Sequence, residues 1–552
     1  MTHSSSPTRS PESSPTDALR AAARLLDRRR FLTVTGAAAA IAFSTNLPNA
    51  AQAAEPLAPE ALTVDPFTLG VASGDPRHDS VVLWTRLAPE PFAVDSGLPA
   101  QPVTVRWEIA RDEAFRRIER TGRADAHPEF HHAVHVEADG LRPATTYHYR
   151  FHVGRWTSPT GRTRTAPAPG AHAESLRFAL VSCQRYDQGY FTAYGHLARE
   201  ENIDAVLHLG DYLYEYPVNS AAGARGYTGP DALPAAVNRE TVTLEDYRLR
   251  YALYHRDPDL RAAHAAHPFV VTWDDHEVEN NYAGSIPENS VPPEEFLVRR
   301  AAAYRAYYEN MPLRRAQLPH GPDARLHRRL DYGRLAQLDI LDSRQYRDDQ
   351  ALGDGWQVPT DEVAVPGRTL LGASQERWLA DGWRRSRAVW NLVPQQVVLA
   401  RRRNRVEGPW PLSMDAWDGY PAARERFLTA ARDAGVDNLV VLTGDVHVHY
   451  AFDLKADWDD PASRTLGVEL VTSSISSGGN GSERPANWPA LTGANPHLRF
   501  YDGRRGYVVL TLDSRQLTAE YRVVPTVTTP GAGVLTAATF TSRAGDPGLR
   551  PA

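Results

Sequence analysis

The chain has 552 residues, of which 42% are hydrophobic and 23% charged, and carries a net charge of −6. The length calls for roughly two to four domains, and the composition is ordinary for a soluble globular protein. The acidic balance excludes a nucleic-acid binder that works through a basic face. A single cysteine, Cys183, excludes an internal disulfide framework; taken alone, that thiol reads as a small buried hydrophobe.

The first fifty residues do not read as fold. Residues 1–26 are rich in Ser, Thr, Pro and Arg, a composition that favours disorder. Arg28-Arg29-Arg30-Phe31-Leu32 follows, then an Ala-rich apolar run through Phe43 and the small-x-small site Ala51-Gln52-Ala53. This order resembles a twin-arginine export signal with its cleavage site. Residues 1–53 are therefore expected to be removed after recognition by the twin-arginine translocase, leaving a secreted protein that begins near Ala54. The apolar run is too short to span a bilayer, and no later stretch is long enough, so no transmembrane anchor is expected.

From Asp65 to Arg164 the pattern is of short strands. Val81-Val82-Leu83-Trp84-Thr85-Arg86 is a buried strand, and Val103-Thr104-Val105-Arg106-Trp107-Glu108 alternates apolar and polar residues. Gly140 to Phe151 reads as a turn followed by an alternating aromatic strand, which resembles fibronectin type III domains. The expectation is an accessory β-sandwich over 62–168, closed by the Pro/Gly/Ala linker Thr165 to Gly170. It carries no cluster of ligand-type residues.

A second domain, expected over 174–524, alternates strands and helices. Four apolar strands each end in ligand-type residues. Leu176 to Ser182 ends in Cys183, and Ala205 to Gly210 ends in Asp211. Phe269 to Trp273 ends in Asp274-Asp275-His276, and Leu439 to Thr443 ends in Gly444-Asp445-Val446-His447. Further strands are expected at Arg334 to Leu341 and Trp390 to Leu399, and a helix over Glu294 to Asn310. Near-continuous apolar strands imply sheets covered on both faces, and sites in such sheets form outside the carboxyl ends of the strands. A lone Asp after a strand is more often a helix cap than a ligand. Four ligand-bearing strand ends argue for convergence.

The residue types point to metal-assisted chemistry. Carboxylates and amide oxygens suit Ca, Mg or Mn, whereas imidazole, thiolate and phenolate suit a more polarising ion such as Fe or Zn. Holding both kinds implies a mixed-metal cluster, able to clamp an in-line displacement at phosphorus. Neither a Gly-x-Ser-x-Gly elbow nor a P-loop is present.

Gly210-Asp211-x-x-Tyr214 resembles the purple acid phosphatase motif, and Asp275-His276-Glu277 and Gly444-Asp445-Val446-His447 resemble metallophosphoesterase motifs. With Ser182-Cys183-Gln184, Leu341 to Tyr346 and Asn495-Pro496-His497, the set is similar to the alkaline phosphatase D (PhoD) family over nearly the whole chain. The resemblance implies a metallophosphoesterase-type domain of layered β-sheets flanked by helices. It also implies hydrolysis of phosphate mono- and diesters at alkaline pH with one ferric ion and two calcium ions. Carried over, Cys183 and Tyr214 would bind iron, Asp211 would bridge metals, and Asp445 and His447 would complete the iron or an adjacent site. Asp274 or Asp275, Asn281 and His497 would hold calcium or the substrate side. Alignment favours Asp275 over Asp274, and Asn280 competes with Asn281. His276 would be no ligand but a proton donor to the leaving alcohol, or a phosphate binder. Arg344 reads as a structural ion-pair partner, and His449 as either a support behind the ligands or a surface residue. A phospholipid-directed phosphodiesterase fits the same motifs, whereas a non-catalytic binding protein would have no use for the ligands. The chain is expected to be a monomer. The Thr-, Ala-, Gly- and Pro-rich tail after Val524 reads as a cap on the site or as disorder.

Overall fold

The alternation within each apolar strand sorts its side chains between two cores. In Leu176–Val181, Leu176, Phe178 and Leu180 face one core while Ala179 and Val181 face another. The same split recurs in Leu439–Thr443, where Val440 and Leu442 part from Leu439 and Val441. Two sheets that are each apolar on both faces must be covered on both faces, and the result is four layers. The computed structural model describes residues 56–58, 62–218, 224–225, 233–405, 407–485 and 487–552. The twin-arginine run and Ala51-Gln52-Ala53 lie outside the described residues.

The larger sheet has ten strands. Its centre is three parallel strands, Leu176–Val181, Ala205–His208 and Pro268–Val271. The second sheet has seven strands, with Ala336–Ile340, Trp390–Pro394, Leu439–Thr443 and Thr465–Val471 running parallel. The sheets pack face to face through Phe178, Leu207, Leu338, Leu392, Leu442 and Val508. Helices Leu244–His255, Pro258–Ala266 and Pro293–Asn310 cover the outer face of the ten-stranded sheet. Helices Gly372–Arg385 and Pro421–Asp433 cover the outer face of the seven-stranded one. The expected strands near 334–341 and 390–399 are Ala336–Ile340 and Trp390–Pro394. The expected helix begins one residue earlier, at Pro293, and buries Phe296, Tyr304 and Tyr308.

Two expectations change. The N-terminal region is no separate accessory sandwich. Its five-stranded sheet packs on Val71–Gly74, Val81–Arg86 and Ala133–Ala138, and these three belong to the ten-stranded sheet. Val71–Gly74 pairs in parallel with Pro268–Val271, Ser73 opposite Pro268. Trp84 donates to the Glu309 carbonyl and Arg86 to Asn310, fastening the region to helix Pro293–Asn310. The tail does not lack structure: Val527 bonds Tyr190 and Asn480, and two strands follow. Leu535–Arg543 pairs with Gln516–Val524, and Asp546–Pro551 forms the sheet edge. Alternating Thr and Ala hide this strand from a reading based on apolar runs; Phe540 is its buried anchor, against Tyr521 and Phe500.

Candidate metal centre

Because the ligand-bearing strands run parallel within their sheets, their carboxyl ends open on one end of the two-sheet core. The chain turns sharply there. Cys183, Asp211, Asp445 and His447 all take positive φ, between 56° and 66°, a strained conformation that non-glycine residues keep at functional sites. Gly210 and Gly444 allow the loops to meet. A Cβ on Gly210 would lie 2.4 Å from Cβ of Asp274, and one on Gly444 would lie 2.8 Å from the Ser182 side chain.

Three overlapping groups of donor atoms result, each with its atoms within 4.8 Å of one another. Cys183, Asp211 and His447 form the first; Asp211, Asp275 and His276 the second; Asp274, Asp275 and Asp445 the third. Asp211 is shared by the first two and Asp275 by the last two. Tyr214 joins the first group, its hydroxyl 2.9 Å from Asp211 Oδ2 and 3.0 Å from His447 Nε2. Asp211 Oδ1, Asp274 Oδ2 and Asp275 Oδ1 are buried without a hydrogen-bond partner among the described residues. A buried carboxylate oxygen with no donor is costly.

The electrostatics follow from crowding. Burial, then the neighbouring Asp275, Asp274 and Glu277, push Asp211 well above the usual carboxylate range. Burial and the Asp274 and Asp415 charges do the same to Asp445. Asp274 is raised by burial to about 7, although Arg344 opposes the shift. Burial also raises Asp275, but Arg344 and His276 outweigh it and hold that carboxyl below its ordinary value. His447 is lowered to about 3 by burial and Arg505, so its imidazole is neutral and able to ligate. Burial and Asp211 raise both the Cys183 thiol and the Tyr214 phenol. A cation among these groups would reverse each upward shift.

His276 stands apart from the carboxylates in its bonding. Its Nδ1 donates to Glu215 Oε2 at 2.7 Å, and Glu215 Oε1 accepts the Asn280 amide at 2.9 Å. Burial disfavours the imidazolium, but Glu215, Asp275 and Asp211 outweigh it and raise His276 well above its usual value. The proton on Nδ1 is thus fixed, and Nε2 is not engaged by Glu215.

One expected ligand, His497, is not brought in, and Asn281 lies beside the Asp275 loop. His497 bonds the Arg401 carbonyl at 2.7 Å and packs against Phe452 and Trp458. It supports the far side of the seven-stranded sheet, because the strand after it, Leu498–Asp502, pairs antiparallel to His449–Lys455 and carries it away. Asn281 donates its side-chain amide to Asp354 and its backbone N–H to Asp275 Oδ2, so it holds the Asp275 loop. Asn280 turns to Glu288. His449 is buried, accepts the Ser473 amide and stacks edge-on with Tyr521, a supporting role. Arg344, wholly buried, donates to Asp274 and lies 2.7 Å from Asp415, 3.4 Å from Asp275 and 3.8 Å from Asp445. It is the ion-pair partner expected from the sequence.

Residues without an expected role hold the loops. Glu277 accepts the backbone amides of Asp211, Tyr212 and Asp274, tying two ligand loops with one carboxylate. Ser477 donates to the Tyr214 hydroxyl or to the Cys183 carbonyl, each 2.8 Å away. Arg505 holds the His447 carbonyl. Only Glu277 had a visible signal, its place directly after Asp275-His276.

Residues 178–521 match the PhoD-like phosphatase family, and residues 51–167 match the N-terminal domain of PhoD-like phosphatases. The chain is 49% identical over 524 residues to alkaline phosphatase D of Bacillus subtilis (strain 168), covering 95% of this chain and 89% of that protein. A solved structure described as PhoD superposes with a TM-score of 0.85 at 50% identity, over 89% of this chain and 92% of that one. With a metal-dependent family matched in both regions and a cluster of acidic, His and Cys donors at the strand ends, the chain belongs to the PhoD-like phosphatases and is a phosphoester hydrolase.

Proposed function

We propose that this hydrolase holds one ferric ion and two calcium ions, and that it cleaves phosphate monoesters and diesters outside the cell after twin-arginine export. The observation that carries the metal reading is the convergence of Asp211, Asp274, Asp275 and Asp445 with three carboxylate oxygens left without a hydrogen-bond partner among the described residues. The donor chemistry divides the cluster. Thiol, phenol and imidazole at Cys183, Tyr214 and His447 suit the iron, and the carboxylates suit calcium. Asp211, shared by the first two groups, would serve both kinds. Asp275, shared by two groups, is the better calcium ligand, since one Asp274 oxygen is taken by Arg344. When bound, the ions supply Lewis acidity toward the phosphoryl oxygens and a nucleophile from water.

The chain's own residues do the rest. His276, held through Nδ1 by Glu215, donates a proton from Nε2 to the leaving oxygen. The nearby hydroxyls have no free base beside them; Ser477 is held by the Cys183 carbonyl and the Tyr214 hydroxyl. Ser182 is buried, and Thr443 is fully buried and locked between Gln395 and Glu469. Displacement at phosphorus is therefore direct and inverts configuration. The 62–168 region, which resembles fibronectin type III domains in sequence, supports the strand Pro268–Val271 that carries Asp274 and Asp275. No helix among the described residues is long and apolar enough to cross a membrane.

Elemental analysis of protein purified without added metal tests the assignment. Iron and calcium are expected, with a visible absorption band that Tyr214→Phe bleaches. Active protein containing only zinc would overturn it. A chiral phosphate ester hydrolysed in labelled water checks the displacement; net retention rejects it.

A further inference from the structure

The loop that carries Asp211 and Tyr214 runs on through Glu215 and Tyr216, and all three of these last residues are pinned by their backbone. Arg250, almost wholly buried, donates Nη1 to the carbonyls of both Tyr214 and Tyr216, and Nη2 to those of Val237 and Arg239. The Glu215 carbonyl accepts the Thr241 amide at 2.8 Å. The two tyrosines then part. Tyr214 is buried, with its hydroxyl among Asp211, His447 and Ser477. Tyr216 is only partly buried. Among the described residues it joins none of the hydrophobic cores, although Leu213 and Val218 on either side belong to one.

Groups of the candidate centre and its rim surround the Tyr216 ring. The His276 ring meets it at 65° with centroids 5.4 Å apart, and also contacts Tyr214 at 4.1 Å. The Arg185 guanidinium lies 5.0 Å from the Tyr216 centroid and 5.8 Å from that of Tyr214. Arg185 is itself fixed. Its Nε donates to Asp187 at 3.0 Å, and its backbone amide donates to Ser477, the serine that bonds Tyr214. A guanidinium over an aromatic face is attracted by the ring quadrupole, so Arg185 and the pinned backbone together hold the Tyr216 ring in one place.

With His276 as the donor to the leaving oxygen, the carbon skeleton on that oxygen has to pass within contact distance of this imidazole. The surroundings of His276 offer it little apolar surface. Glu215 takes Nδ1, Asp211 and Asp275 are the neighbouring donors, and the Tyr214 hydroxyl is turned into the cluster. Tyr216 is the ring against His276 that keeps exposure.

We propose that Tyr216 is a specificity-determining residue whose ring packs the organic part of the departing alcohol beside His276, with Arg185 as the positioning residue that holds the ring. The shelf favours leaving groups that present a flat aromatic surface, because two rings in contact match edge to face while both leave water. The proposal rests on the phosphoesterase reading with His276 as proton donor, and turnover of phenyl phosphate by the unmodified protein reports on that reading separately.

The test compares phenyl phosphate with 2-naphthyl phosphate, whose leaving alcohols are of similar acidity but differ by one ring, in the metal-loaded enzyme. The unmodified protein is expected to favour the naphthyl ester about fivefold in kcat/KM, chiefly through KM, within the roughly two- to tenfold that an aromatic pair contributes. Tyr216→Phe keeps the ring and is expected to keep the preference. Tyr216→Ala is expected to bring it close to one, with metal content unchanged. Absence of a naphthyl preference in the unmodified protein overturns the proposal, as does an unchanged preference in folded Tyr216→Ala or an equal loss on both esters. Should Tyr216→Ala fail to fold, Tyr216→Leu decides. It keeps apolar bulk without a ring, and is expected to lower the preference about threefold; no change overturns the proposal. Arg185→Met is expected to lower the preference about twofold, and to have no such effect once Tyr216 is Ala. A full effect in that background makes Arg185 act independently of the ring and overturns its positioning role.

Discussion

Two groups of buried charge in this molecule are built from the same residue types and end in opposite states. At the junction of the N-terminal strands with helix Pro293–Asn310, Glu309 is wholly buried, yet each of its oxygens is met. Arg248 donates to both at 2.6 and 2.7 Å, and Arg305 to one at 2.7 Å. Burial raises the Glu309 carboxyl, but the two arginines outweigh it and hold it below its ordinary value. At the strand ends, Asp211, Asp274, Asp275 and Asp445 face one another with Arg344 as the shared cation, and three of their oxygens have no hydrogen-bond partner among the described residues. Three of these carboxyls are raised. One cluster is complete within the chain and fastens two regions together. The other is complete only with a cation, which marks it as the working centre.

Removing the shared ligand should break the second cluster without touching the first. Asp211→Asn is expected to lower kcat/KM by about three orders of magnitude or more, several kcal/mol of transition-state stabilisation. Elemental analysis should show loss of iron, while the melting temperature of the metal-free protein changes little or rises. Retention of iron and activity would return Asp211 to a structural part.

The converse change attacks the first cluster. Glu309→Ala leaves Arg248 and Arg305 facing a void and should destabilise the fold by about 3–5 kcal/mol. Urea unfolding measures this, and the folded fraction should keep its metal stoichiometry. A change in metal content at full stability would erase the distinction drawn above.

His276→Ala sharpens the comparison within the site, since this imidazole is paired in the manner of the first cluster yet aimed at the second. Esters with poor leaving groups should slow by roughly two to four orders of magnitude, and p-nitrophenyl esters far less. Glu215→Gln should give a weaker effect of the same pattern, about ten- to a hundredfold by analogy with supporting partners of metal-bound groups. Equal loss on both ester types would make His276 a ligand or phosphate binder.

The pH dependence separates the two clusters without mutation. In the metal-free protein, burial raises Asp274 to about 7 and Glu277 to about 8, against roughly 4 for unfolded carboxyls. The folded state then binds protons more tightly than the unfolded state. Its stability contribution is full below about pH 4 and is lost as pH rises through 7 to 8. Glu309, shifted downward, contributes in the opposite sense, its stabilisation present above the unfolded value and lost in acid. The metal-free melting temperature should therefore fall from pH 5 to 8, and calcium with iron should restore it. A flat metal-free profile over that range would contradict the crowding of the carboxylates.

Much of the candidate site was legible in the chain because its ligands follow directly on apolar strands. Cys183, Asp211, Asp275, Asp445 and His447 each stand within four residues of a strand end, and parallel pairing within each sheet, with the two sheets packed face to face, brings such ends together. His497 misled for the opposite reason. Its motif is local, but its position depends on an antiparallel strand that carries it from the centre. The supports Ser477 and Arg505 were hidden because each acts on groups far away in sequence: Ser477 on the Cys183 carbonyl and the Tyr214 hydroxyl, Arg505 on the His447 carbonyl.

By itself the sequence determined the strands, the two-sided burial of the sheets and the inventory of metal-type donors, because these follow from apolar runs and from residue types at fixed spacing. Only the tertiary structure decided that Val71–Gly74 joins the catalytic sheet, that the Thr-rich tail forms its edge, and that Asp211 and Asp275 are the shared members of the cluster. Those outcomes depend on which strand lies beside which and on which carboxylates are left without donors. Both are set by contacts between residues tens to hundreds of positions apart, which no local pattern encodes.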